Sequence, residues 1–221
     1  MKNIAFKISL SIIIVSLMIT ACKKHDYFVD GGLSGQSAAE KNMTVYDFLA
    51  SRPTHDFDSL IKIINLTNSK ALVNQSNITF YACPNSAVIK FQNRFNPDDR
   101  QKVRPLNKIG IDTLQKLLNR FIVTGKRISL EEAVFDGNKY YKDNQGDSLL
   151  INGISGLASP GSQVRIDADR MEYQHRKIPK IDTANFVSRI QTHNLITVNG
   201  TIHVLEPGAN FAAGFKTKYI R

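Results

Sequence analysis

Cys83 and His203 are the residue types of a nucleophile and its base, since an imidazole beside a thiol can take its proton. Cys83, however, ends the apolar run NITFYAC with no cation or acid next to it, where a cysteine is expected as a small buried apolar residue with its proton in place. Asp143 and Asp147 in DNQGD offer the oxygens and glycine of a calcium loop, but their spacing departs from Asp-x-Asp-x-Asp-Gly, and a hairpin turn is the expectation. Asp56 with Asp58, and Asp167 with Asp169, stand two apart, as at a helix start and on the outer face of a strand rather than as an acid–base pair. The five histidines show no HExxH spacing or paired ligands, so no metal is expected. A hydrolase built on Cys83 or the scattered carboxylates is therefore the outlying alternative.

The elements that would position these groups begin with His203 itself. ITVNGTIHVLEP (196–207) reads as a hairpin about Asn199 and Gly200, which tolerate the positive φ of a type I′ turn. That register sets Val198 opposite Thr201 and Ile196 opposite His203. Apolar residues then fall on both faces, so His203 is expected buried, hydrogen-bonded and near Ala82–Asn85. Thr44 is expected to cap VYDFLAS, DFDSLIKIINL and SAVIKFQNRF have helical spacing, and Asn85 can cap the latter. IDTLQKLLNRFIV carries one apolar stripe ended by Gly125. EEAVF, KYYKD, SLLI, QVRIDA, MEYQHR and FVSRI read as strands between turn clusters. Helices first and strands later point to an α+β fold.

At the N-terminus, Lys2 and Lys7 precede the apolar run Ile8–Ile19, which is too short for a stable span of about 20 residues. With ITAC (19–22) this resembles the lipobox of bacterial lipoproteins, which implies a signal peptide over 1–21 and a lipidated Cys22 as membrane anchor. Residues 22–42, polar and rich in Gly, Ser and Ala, are expected as a flexible tether. Residues 43–207 would form the domain and 208–221 a basic C-terminal tail. Loss of Lys2 and Lys7 takes the formal net charge from +10 to +8. Export argues against nucleic acid as the partner of this charge and leaves Cys83 without a disulfide partner. An anionic glycan or another envelope protein fits instead. The expected contact is Ser159–Lys180, where Arg170, Tyr173, Arg176, Lys177 and Lys180 would set an exposed aromatic among cations, together with the Arg100–Lys108 loop.

TVYDFLASRPTHDFDSLIKII, NITFYACPNSAVIKF, LQKLLNRFIVTGK and ITVNGTIHVLEP, in that order, resemble a fasciclin (FAS1) domain. Ala82, Asn85 and Ala87 match the family's first motif, with Cys83 and Pro84 in place of its Pro-Thr. Asn199, Gly200, Ile202, His203 and Val204 match the second. Arg120 and Phe121 stand where many members carry the Tyr-His associated with adhesion. The resemblance implies a wedge of two β-sheets with helices packed along it, used for adhesion or binding without cofactor or catalysis, and a structural role for His203. With the lipid anchor it implies an adhesion module of the cell envelope, and CKKHDYF (22–28) resembles the starts of lipoproteins of the Bacteroidetes group, which implies an outer membrane. An accessory glycan-capture lipoprotein of an outer-membrane uptake system is the alternative within binding.

Overall fold

The structure, a computed structural model, describes residues 36–93 and 103–216. The leader, Cys22, most of the tether, Arg100–Lys102 and residues 217–221 lie outside it. Among the described residues no helix is long and apolar enough to cross a membrane.

The chain is α+β, with helices α1 (Ala38–Lys41), α2 (Val45–Ala50), α3 (Asp58–Leu66), α4 (Lys70–Val73), α5 (Asn85–Asn93), α6 (Ile111–Asn119) and α7 (Leu130–Asp136). Strands are β1 (Ile78–Ala82), β2 (Ile122–Val123), β3 (Asn138–Lys142), β4 (Ser148–Ile154), β5 (Arg170–His175), β6 (Phe186–Ile196) and β7 (Gly200–Leu205). They hydrogen-bond in the order β2-β1-β7-β6-β5-β4-β3. Among the described strands only β1 and β7 run parallel. Both are buried along their whole length, as expected of central strands covered on two faces. The expected two sheets are halves joined through the long β6. Its Phe186–Arg189 end pairs β5 and its Ile190–Ile196 end pairs β7, with two register shifts where the sheet turns.

The helices bury their apolar stripes in one core: Leu60, Ile63 and Ile64 from α3, and Leu114, Leu117 and Leu118 from α6. The α6 stripe continues to Phe121, but the helix ends at Asn119 and Ile122–Val123 leave as an edge strand against β1. EEAVF, expected as a strand, lies in α7. Ser129 accepts the Glu132 N–H at 3.1 Å, and two acids occupy the first turn, which outweighs the β-branched Val134. This helix lies so close on β4 that a Cβ at Gly153 would fall 1.9 Å from the Ala133 carbonyl oxygen. QVRIDA forms no strand; Arg165 makes only an isolated bridge to Leu157.

Both domain boundaries move outward. Gln36 and α1, expected as tether, are held to the domain: Ser37 and Glu40 make a capping box, and Glu40 pairs with Arg52. Residues 208–216, expected as a tail, place Ala209, Phe211, Ala212 and Phe215 in the core. Phe211 stacks on Phe121 with centroids 5.3 Å apart. A few large apolar side chains in a short basic segment are enough to draw it inside.

Candidate binding surfaces

Each motif asparagine lends its side chain to a helix start distant in sequence. Asn199 Oδ1 accepts the Val45 N–H at 2.8 Å, the first amide of α2, while its Nδ2 donates to Val73 O and Gln75 O, both at 3.0 Å. Asn85 Oδ1 accepts the Ser59 N–H at 2.8 Å in the first turn of α3, which has no side-chain cap of its own, and Nδ2 donates to His55 O. Asn85 therefore caps α3 rather than its own helix. Asn194 does the same for Leu130, the first residue of α7, at 2.8 Å. Helix N-termini have amides without intrahelical partners, and these amides are satisfied here by strand and loop residues.

The hairpin register differs from the sequence expectation. Ile196 faces Thr201 and Leu195 faces Ile202. Neither Asn199 nor Gly200 has a positive φ, so the turn is not type I′. It closes instead between Thr197 and Gly200, with Thr197 N–H donating to Gly200 O at 2.9 Å and Gly200 N–H to Thr197 Oγ1 at 3.1 Å. The physical reason is that both residues are used tertiarily. Asn199 is the clamp just described, and a Cβ on Gly200 would lie 2.7 Å from Ile78 Cγ1.

His203 lies opposite Tyr81 in the parallel pair and stacks on it with centroids 5.5 Å apart. It is fully buried. Nε2–H donates to Ile128 O at 2.9 Å, and Nδ1 accepts the Asn194 N–H at 3.4 Å. Burial, opposed by the Ile128 hydrogen bond, lowers its pKa to about 4, with His193 adding to the fall and Glu131 resisting it. Both ring nitrogens are thus occupied in the neutral form. Burial pushes the Cys83 thiol well up, which leaves a poor nucleophile. Ala82 and Ala87 are buried, Ala82 opposite Val204 and Ala87 accepting the Phe211 N–H at 3.1 Å.

The 159–180 stretch does not have the expected aromatic platform. Tyr173 alternates inward on β5, stacks on Phe121 and donates its hydroxyl to Arg120 O at 2.8 Å. The rings of Tyr81, Phe121 and Phe186 and a hydrogen bond are a better environment for it than solvent. Arg170 is exposed but paired with Asp167 at 2.7 Å. Arg176, Lys177 and Lys180 are exposed, and among the described residues no carboxylate lies within ion-pair distance of them. Asp169 pairs with Arg165 at 2.9 Å, and that hydrogen bond holds its carboxyl below the usual range. Asp56 accepts from Thr54, and Asp58 lies 3.3 Å from His55.

Sequence spacing held no sign of two buried polar pairs in this part of the fold. His175 Nε2 lies 3.0 Å from Asp143 Oδ2, and Arg120 reaches Asp182 at 2.9 and 3.2 Å. Among the described residues, Asp143, Asp147 and His175 form the group whose ligand atoms could converge on a metal. Both oxygens of Asp143 are nevertheless engaged: Oδ1 accepts the Gln145 and Asp147 N–H groups at 2.8 and 2.9 Å, while Oδ2 meets His175. DNQGD is the β3–β4 turn, locked from within.

Just past the ends of β1 and β7, Pro84 and Pro207 line a cleft of about 440 Å³ together with Arg52, Pro53 and Thr54 of the α2–α3 loop. Phe48, Phe57, Leu195 and Val204 form its apolar walls, and Arg52 stands at its side with the guanidinium 4.5 Å from the Phe48 centroid.

No protein-family model matches the sequence, and no curated protein matches it. Among solved structures the chain is similar to a FAS1 domain pair from the insect cell adhesion molecule fasciclin I. The match has 15% identity and a TM-score of 0.49, over 74% of this chain and 49% of that one. The chain thus spans about half the length of that pair.

Proposed function

We propose that the protein is a non-catalytic binding module of the cell envelope, held to a membrane by a lipid on Cys22 and meeting an anionic glycan or surface through Arg176, Lys177 and Lys180. The observation that carries this reading is a division of charge. The groups suited to chemistry, Cys83, His203 and the Asp143–His175 pair, are buried, whereas Arg176, Lys177 and Lys180, for which no carboxylate lies within ion-pair distance among the described residues, are exposed in the turn after β5. Unpaired surface cations attract anions over a distance set by salt. The fasciclin resemblance of the motifs supports the same class.

A glycan array probed with the full chain tests the partner. Binding should weaken as the Debye length falls from about 30 Å to about 8 Å and should be lost when Arg176, Lys177 and Lys180 are replaced by Gln. Binding indifferent to both would exclude this surface. Mass spectrometry of the mature N-terminus tests the anchor, which an unmodified peptide beginning before Cys22 would refute. Ester or glycoside turnover abolished by Cys83→Ser would overturn the non-catalytic reading.

A further inference from the structure

We infer that the anionic partner is a linear acidic polysaccharide, laid across the outer face of β3, β4, β5 and the Phe186–Arg189 end of β6 with a sugar ring on Tyr140. The inference rests on the reading that Arg176 and its neighbours meet an anion, and adds the path of that partner and the residue that reads its sugar. Alternation decides what the face presents. Leu149 and Ile151 of β4, Met171, Tyr173 and His175 of β5, and Phe186 and Ser188 of β6 are the buried positions. Side chains of the other parity stand on the opposite face. Tyr140, Leu150, Gln174 and Val187 lie across it in register. Tyr140 is 58% exposed and Val187 56%, and among the described residues no hydrogen bond or ring contact engages Tyr140.

Two polar rows flank this one. On one side Lys142 pairs with Ser148, whose carbonyl accepts the Arg176 N–H at 2.9 Å, so the three stand side by side. Lys142 and Arg176 are exposed, and among the described residues no carboxylate lies within ion-pair distance of either. Lys139, on the inner face of the same strand, is by contrast paired with Asp136 at 2.7 Å. On the other side Asn138, Asn152, Glu172 and Arg189 are in register. Glu172 stands directly opposite Arg189, so this row offers amides and no formal net charge. The face is cationic along one border, hydrogen-bonding along the other, and largely apolar between.

That order suits an acidic sugar chain. A pyranose has C–H groups on its flat face, hydroxyls round its rim and, in an acidic sugar, an anionic group to one side. The tyrosine ring takes the C–H face, amides pair with hydroxyls, and the cations meet the acid. Dimensions agree as well. Strands about 4.8 Å apart put Tyr140 and Val187 about 14 Å from one another, room for several rings in line. Residues two apart on a strand are separated by about 6.7 Å, so the long side chains of Lys142 and Arg176 reach the edge of a ring seated on the middle row. A compact anion would use the cations alone.

The full chain and its variants are compared on linear acidic glycans, their neutral counterparts, inorganic polyphosphate, which has charge without a sugar ring, and phosphatidylglycerol vesicles. Acidic glycans should be preferred. Tyr140→Ala should weaken that binding by about tenfold or more and Lys142→Gln severalfold, while Tyr140→Phe keeps it. Polyphosphate binding and melting temperature should be unchanged in Tyr140→Ala. Acidic-glycan binding that survives Tyr140→Ala and Lys142→Gln, yet is lost when Arg176, Lys177 and Lys180 are replaced by Gln, would overturn this face and leave the cationic turn as the site. Binding to none of the acidic glycans would overturn both. Equal weakening on polyphosphate, or a lowered melting temperature in Tyr140→Ala, would make Tyr140 structural and overturn the sugar contact. A preference for the vesicles that ignores Tyr140→Ala would put a lipid surface in place of the glycan.

Discussion

His203 shows at the scale of one residue how burial converts a reactive side chain into a structural one. Its folded pKa of about 4 lies below the ordinary 6.5, so the unfolded chain takes up a proton that the folded chain refuses. The stability this gives is present in full above pH 6.5 and is lost as pH falls toward 4, by about 3 kcal/mol at most. Urea unfolding from pH 7 to 4 should therefore be markedly less pH-dependent in His203→Gln, while the unsubstituted chain steepens below pH 6.5. Gly200 gives a steric counterpart. Gly200→Ala sets a methyl 2.7 Å from Ile78 Cγ1 and 3.2 Å from Val45 Cγ2, and should cost about 1–3 kcal/mol in the same assay. That His203 would be buried was legible from apolar residues on both sides of it. The true roles of Asn199 and Gly200 were not, because a turn and a close tertiary contact favour the same two residue types.

Among the elements, the helices depend on strands for their ends. Asn199→Ala would strip acceptors or donors from Val45, Val73 and Gln75 at once, and each buried group left unpaired costs about 1–3 kcal/mol. Ser129→Ala removes one local cap, a loss of about 1 kcal/mol. Thermal melts should rank the two accordingly, with Asn199→Ala much the lower. The helix periodicity of α3 and α6 could be read directly, as could the Thr44 cap, which accepts the Asp47 N–H at 3.2 Å. The α7 segment was misread although Ser129-x-x-Glu132 is a helix-start spacing, because its short apolar run satisfies strand alternation equally well. Caps supplied from 26 or 154 residues away leave no local pattern at all.

For the whole molecule, the α+β order and the motif strands were visible in sequence, whereas the limits of the domain and the inward turn of Tyr173 were not. A lone aromatic among basic residues looks the same whether it faces water or the core, and only the β5 register decides. Phe211 makes the C-terminal limit testable: Phe211→Ala should destabilise by about 3–5 kcal/mol, where a tail residue would have no effect on the melting temperature. The parallel pairing of Ile78–Ala82 with Gly200–Leu205 has a consequence in time as well as in space. Strand β1 has its parallel neighbour made only after five other strands, so a nascent chain cannot complete the sheet until Gly200–Leu205 has emerged. Until then such a chain stays threadable through a narrow pore, and it locks when β7 arrives.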